Sequence, residues 1–270
     1  MARQAFKNIC RLIDSVKEDV APEQSFLGDL KRSIEMTNDK QAREPSKTYK
    51  PSSMSCIRNM YYQVTGTAQD PAMSNYTLVG ICNSGTDIHE RVQKYVADMK
   101  NNGIDCEYID VADYVRQRDL DYLEIVEQKG METKLYHKTL NISFLCDGII
   151  RYKNHYYILE LKTESSFKWH ERKGVDSKHY AQGTAYSLIF KIDEVIFVYI
   201  NRDILDMKAY MFVPTQEMKD ALVDKILECD NYVQAGKVPP KPADVPKNVC
   251  RYCSYVGSCR MEVEDEERFN

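Results

Sequence analysis

The sequence has little that would tie it to a membrane or to the outside of a cell. Its 270 residues contain no run of about 18 consecutive apolar residues, so no membrane-spanning helix is expected. Residues Met1–Val20 carry acids and lack an apolar h-region, which argues against a secretory signal and leads us to expect an intracellular, cytoplasmic protein. Positive charge is not in excess: 37 Lys and Arg stand against 41 Asp and Glu. A broadly basic surface is therefore excluded. Much of the negative balance lies in residues 260–270, where Glu262, Glu264, Asp265, Glu266 and Glu267 outnumber Arg260 and Arg268. The remainder is close to neutral, which leaves room for a local basic channel that binds nucleic acid. The phosphate-binding loop G-x-x-x-x-G-K-[ST] is missing, so the chain carries no such nucleotide-driven motor. No internal repeat is visible.

Cysteine, by contrast, is plentiful, with nine residues. A reducing interior disfavours disulfides, so these thiols read as core residues or metal ligands. Cys250-Arg-Tyr-Cys253-Ser-Tyr-Val-Gly-Ser-Cys259 forms a C-x2-C-x5-C cluster. Three thiolates at this spacing can wrap one metal centre, with a fourth ligand supplied from elsewhere. A four-thiolate set suits either Zn²⁺ or a 4Fe–4S cluster. Cys10, Cys82, Cys106, Cys146 and Cys229 are expected in the core.

The apolar pattern changes period along the chain. Phe6, Ile9, Leu12, Ile13 and Val16 recur at helical spacing, as do Phe26, Leu27, Leu30 and Ile34, which predicts two N-terminal helices. Residues 38–52 read as a linker, a short helix is expected from Ser53, and 66–83 read as a loop. A helix over 86–101 places His89, Val92, Val96 and Met99 on one face. Strands are expected at 122–128, 131–138, 142–152, 155–162, 194–201 and 207–213, and helices at 177–191 and 215–235. Residues 236–249 hold Pro239, Pro240, Pro242 and Pro246 and should be extended. This order predicts an α/β fold, a central mixed sheet flanked by helices.

The most informative stretch is Asp147-Gly-Ile-Ile-Arg-Tyr-Lys-Asn-His-Tyr-Tyr-Ile-Leu-Glu160-Leu-Lys162. Side chains on a strand alternate faces, so Glu160 and Lys162 share one side while Leu159 and Leu161 take the other. A tight turn at Lys153-Asn154 would fold the two strands together and bring Asp147 beside Glu160. Two carboxylates and an ammonium at one hairpin end suit Mg²⁺ or Mn²⁺, which takes oxygen ligands and activates water for phosphodiester hydrolysis. A solvated surface hairpin would carry the same residue types. Gln182 and Tyr186 lie four apart on one face of the next helix. His89 is the polar residue on an otherwise apolar helical face.

The order His89, Asp147, Glu160-x-Lys162, Gln182-x-x-x-Tyr186 resembles the RecB-like branch of the PD-(D/E)xK nucleases. That branch includes the AddB nuclease domain, the CRISPR-adaptation nucleases and phage exonuclease relatives. The resemblance implies a restriction-endonuclease-like core over 51–259, preceded by a helical extension and linker over 1–50 and followed by an acidic tail over 260–270. It implies that His89, Asp147 and Glu160 hold the metal with the Leu161 carbonyl, and that Lys162 is the catalytic lysine. Gln182 and Tyr186 would contact DNA or position Lys162. Where the family often has Gly three residues before the Asp, this chain has Phe144. The resemblance also supplies the fourth thiolate: Cys56 matches the upstream cysteine of the iron–sulfur members, with zinc as the competing occupant. The implied activity is a DNA exonuclease acting on single-stranded ends in recombination, replication or repair, with any unwinding supplied by a partner helicase. A cluster-bearing DNA-binding or assembly subunit and a structure-specific endonuclease are the alternatives.

Further contacts to DNA are expected from 162–180, where Lys162, Lys168, Arg172, Lys173 and Lys178 interleave with Trp169, His170, His179 and Tyr180. Arg58, near Cys56, is another candidate phosphate contact. A solvated surface loop is the competing reading of 162–180.

Overall fold

The structure is a computed structural model that describes residues 21–40, 47–70, 75–243, 245, 249–250 and 253–261. The first expected helix and the acidic tail beyond Met261 lie outside the described residues. Those described fall into two compact units, one of 21–40 with 75–82 and one of 47–70 with 83–261. In the first unit, helix α1 spans Pro22–Lys40, as its apolar spacing predicts. Phe26, Leu27 and Leu30 on it are exposed.

The second unit carries the sheets. A five-stranded mixed sheet has β1 (Cys106–Ile109) at one edge. It continues through β5 (Gly148–Tyr152), β6 (His155–Glu164) and β7 (Val195–Asn201) to β8 (Met207–Phe212). β6 and β7 run parallel and the other neighbours antiparallel. A separate antiparallel sheet joins β2 (Leu123–Lys129), β3 (Glu132–His137) and β4 (Ile142–Cys146). The expected strand 142–152 is thus two strands in two sheets, and the residue between them is Asp147. Apolar residues continue on both sides of the break, Phe144, Leu145 and Cys146 before it and Ile149 and Ile150 after it, so the sequence reads as one strand.

Alternation along β6 divides the core. Ile158 joins Phe197, Tyr199, Ala185 and Phe190 on one face, where α6 (Tyr180–Phe190), α7 (Gln216–Ala235) and α2 (Ile57–Val64) pack. Leu159 and Leu161 join Ile88, Val92 and Ile150 on the other, against α3 (Tyr76–Asp98). This is a central mixed sheet flanked by helices, as the sequence order predicts. α3 begins ten residues before the expected helix at Thr86 and occupies much of the stretch read as a loop. Gly80, Asn83, Ser84 and Gly85 made that stretch look broken. β1, α4 (Val111–Gln117) and α5 (Ser166–Glu171) were not expected. α7 is closed by Thr215, whose side chain accepts from the Met218 amide, and by Gly236 at φ 62°.

Candidate active site

The site begins with the β5–β6 turn. Lys153 and Asn154 both take positive φ, 48° and 65°. Two left-handed residues in succession make the two-residue hairpin turn whose twist matches that of the strands. The register that follows pairs Tyr152 with His155 and Gly148 with Leu159. One step further along the same register, Asp147 lies opposite Glu160. The expected convergence of the two carboxylates is therefore present.

Each carboxylate is held differently. Asp147 Oδ2 accepts from the Leu161 amide at 2.6 Å, and Oδ1 lies 3.4 Å from His89 Nδ1. Glu160 is 3 % exposed. Its Oε1 accepts from Lys162 Nζ at 2.6 Å and from Gln182 Nε2 at 2.7 Å. Its Oε2 is buried without a hydrogen-bond partner. Gln182 also accepts from Lys162 at 3.0 Å and donates to Tyr186 Oη at 3.1 Å. Tyr186 in turn donates to the Leu145 carbonyl at 2.8 Å. Glu160, Lys162, Gln182 and Tyr186 form one connected network, and Asp147 with His89 lies beside it. Among the described residues, no three His, Cys, Asp or Glu side chains stand together as a finished metal cage. Lys162 and Gln182 meet the Glu160 carboxylate, and the Leu161 amide and His89 meet that of Asp147.

The electrostatics follow from burial. Desolvation raises the Glu160 carboxyl to about 7 against the lowering pull of Lys162, and Asp147 adds to the rise. For His89, burial works to lower the pKa, but the hydrogen bond to Asp147 and the two carboxylate charges outweigh it and the net shift is upward. Burial keeps the Tyr186 phenol and the Cys146 thiol protonated.

Sequence reasoning missed two residues here. Gln93 is 1 % exposed and donates to the Asp147 carbonyl at 2.7 Å, while Tyr108 on β1 donates to the same oxygen at 3.0 Å. Gln93 lies one turn beyond His89 on α3, and that i,i+4 spacing was available to find it. Phe144, in place of the family's glycine, is buried against Tyr186 and Phe190 at ring distances of 5.5 and 5.7 Å.

The four cysteines of the second constellation, all among the described residues, line a common cavity without standing together as a finished metal cage. Cys56, Cys250, Cys253 and Cys259 line one cavity of about 710 Å³ with Arg58, Asn59 and Tyr62. Asn59 Nδ2 donates to Cys253 Sγ at 3.4 Å, and Arg58 Nη1 lies 3.5 Å from Cys259 Sγ. Burial raises the Cys56 and Cys253 thiols; backbone amides oppose it, and the neighbouring cysteines of the set add to it. Of the remaining cysteines, Cys106, Cys146 and Cys229 are buried as expected, but Cys82 is exposed. Cys10 lies outside the described residues.

Two expected DNA contacts are corrected. Arg58 is 1 % exposed and donates to the Pro239 and Cys259 carbonyls, so it faces the protein rather than a phosphate. In 162–180, Trp169 is buried under Lys208 and donates to the Tyr199 carbonyl, and Arg172 is bound to Glu164 through two nitrogens. His179 is stacked on Phe197 and Tyr199. Lys168, His170, Lys173 and Tyr180 remain exposed.

No family model matches the sequence, and no curated protein does. Among solved structures, SSO0001 superposes with a TM-score of 0.47 at 14% identity, over 85% of this chain and 94% of that one. The alkaline exonuclease LHK-Exo from Laribacter hongkongensis gives 0.41 at 10% identity, over 71% and 90%. Its complex with dAMP gives 0.41 at 10%, over 70% and 89%. Likeness at this level assigns no activity to this chain.

Proposed function

We propose that the chain is a metal-dependent DNA nuclease of the PD-(D/E)xK kind, acting as an exonuclease on single-stranded ends and carrying a four-cysteine iron–sulfur clasp. The observation that carries this reading is Glu160. A buried carboxylate oxygen with no partner is unfavourable, and native proteins rarely keep one without reason. A hard cation offsets that cost. Asp147, fixed by the Leu161 amide, lies just before the paired strand and would supply a second oxygen ligand. The donors present therefore fit Mg²⁺ or Mn²⁺: Asp147 and Glu160, with the Leu161 carbonyl and His89 at the margin. When bound, such an ion lowers the pKa of a water and neutralises charge on a phosphodiester.

The chain's own groups do the rest. Lys162 holds its ammonium between Glu160 and Gln182, where it can orient an attacking water or offset charge as it develops. Gln182 bridges Lys162 and Glu160 and so fixes their relative position, and Tyr186 anchors Gln182 to β4. Lys168 and Lys173 lie exposed in the segment that follows β6, and in this reading they pair with phosphates of the bound strand.

For the four cysteines we read an iron–sulfur cluster ahead of zinc, on the resemblance of Cys56 to the upstream cysteine of the iron–sulfur nucleases. Four thiolates on one Zn²⁺ crowd to about 2.3 Å from the ion. A 4Fe–4S cluster would take the same four thiolates further apart, and the donors from Asn59 and Arg58 match the N–H···S bonds that tune such clusters.

The test is to purify the chain without oxygen and incubate it with end-labelled linear single-stranded DNA and Mn²⁺ or Mg²⁺, beside Glu160→Gln and Lys162→Ala. The parent should degrade the strand and each variant should lose at least about 100-fold in rate. A folded, cluster-loaded parent that leaves every form of DNA intact with either metal would sink the enzyme reading. Iron and sulfide analysis of the same sample decides between cluster and zinc.

A further inference from the structure

Asp147 stands at the only residue between β4 and β5, where the chain leaves one sheet and enters the other. A carboxylate on such a crossing residue has no ladder of its own to fix it. Its carbonyl nevertheless receives two donors from two different elements, Gln93 of α3 at 2.7 Å and Tyr108 of β1 at 3.0 Å. A carbonyl oxygen has two lone pairs, so both are used. Tyr108 Oη also reaches the Met131 carbonyl, at 2.9 Å, in the β2–β3 turn of the smaller sheet. Its single proton is thus shared between the two sheets. Burial holds the phenol protonated, so it remains a donor. Gly148 makes room for this arrangement: a Cβ there would lie 2.7 Å from the Tyr108 ring.

We infer that Gln93 and Tyr108 are positioning residues that set where the Asp147 carboxylate stands relative to Glu160, and through it the strength with which the site takes a divalent cation. The inference rests on the nuclease reading above. Neither side chain reaches the carboxylates themselves. They fix the Asp147 peptide, and the Leu161 amide then fixes its Oδ2, so the side chain is held at both ends. Partners one layer behind metal ligands commonly shift affinity by about 10- to 100-fold.

The experiment is calorimetric titration of Mn²⁺ into the parent, Gln93→Leu, Tyr108→Phe and Gly148→Ala, with nuclease rate and thermal unfolding on each. Gln93→Leu should weaken Mn²⁺ by about tenfold, and Tyr108→Phe by less, since its proton is shared. Saturating Mn²⁺ should restore much of the lost rate. Gly148→Ala keeps both donors but displaces the Tyr108 ring, and should weaken Mn²⁺ as Tyr108→Phe does. A parent that binds Mn²⁺ and cleaves, with folded variants whose affinity is unchanged, overturns the inference alone, even if their unfolding temperatures fall. A parent that neither binds nor cleaves overturns the inference together with the nuclease reading.

Discussion

Tyr199 shows how residues with nucleic-acid-binding chemistry are spent inside the protein. Its ring carries the Arg172 guanidinium at 4.0 Å, its hydroxyl accepts from the Asp176 amide at 3.0 Å, and it lies 2.9 Å from His179 Nδ1. Having accepted from Asp176, the phenol has its own proton to give, so His179 is placed to accept it as a neutral imidazole. Burial drives the His179 pKa down to about 2, and Lys162, Lys178 and Arg172 push the same way against Asp176. The consequence for stability has a definite sign. Unfolded, the imidazole titrates near 6.5; folded, it stays neutral far below that. The unfolded state therefore binds the extra proton as pH falls from 6.5 toward 2, and stability is lost over that window while being full above it. The slope is about 1.4 kcal/mol per pH unit. Between pH 7 and pH 5.5 the parent should lose roughly 1.4 kcal/mol more than His179→Gln, which does not titrate there. Parallel denaturant midpoints for the two across that range would show that His179 is not buried neutral.

At the scale of elements, the β5–β6 hairpin fixes the site, and its turn is the lever. Lys153 and Asn154 occupy left-handed backbone that glycine and asparagine prefer. Replacing the pair with Asn-Gly should stabilise the chain by about 0.5–1 kcal/mol, and Asn154→Val should destabilise it by about 1–2 kcal/mol. Opposite signs in chemical denaturation are the expected result; two neutral outcomes would mean that the register is set elsewhere. This hairpin was legible in the sequence because turn chemistry and alternation agreed over Asp147–Lys162. Gln182 and Tyr186 were picked out by the resemblance, since their i,i+4 spacing alone reads as an ordinary surface pair. The switch of sheets at Asp147 was not legible, since apolar residues continue on both sides of it and Leu145, just before it, is exposed although apolar. The fate of Trp169, Arg172 and His179 was hidden too. Their partners Tyr199, Glu164 and Lys208 come from two other strands and from the far end of β6, and no local spacing announces such pairings. The start of α3 was concealed by glycines at which Cβ atoms would find open space or the side chain of Thr163.

At the scale of the whole molecule, the C-terminal cysteine segment is fastened to the region around α2 rather than to its sequence neighbours. Asp70 accepts from the Gly257 amide at 2.6 Å and the Ser258 amide at 3.3 Å, and its own amide donates to the Ser254 carbonyl. Arg58 ties Pro239 and Cys259 to α2, and Tyr62 packs against Tyr255 at 5.4 Å. A centre held by Cys56 and by Cys250, Cys253 and Cys259 would close a loop that contains both sheets. Treated as a crosslink, such a closure restricts the unfolded chain by about 4–5 kcal/mol. Cys56→Ser should therefore lower stability by up to about 4 kcal/mol relative to the loaded parent. Limited proteolysis should then cut beyond Gly236 first, while the fragment carrying β6 persists. In the parent, iron chelation under anaerobic conditions should reproduce both effects, because it removes the same link without changing a side chain. If Cys56→Ser keeps its full metal content and the parent's cleavage pattern, Cys56 is not a ligand, and the α2 contacts alone hold the segment in place.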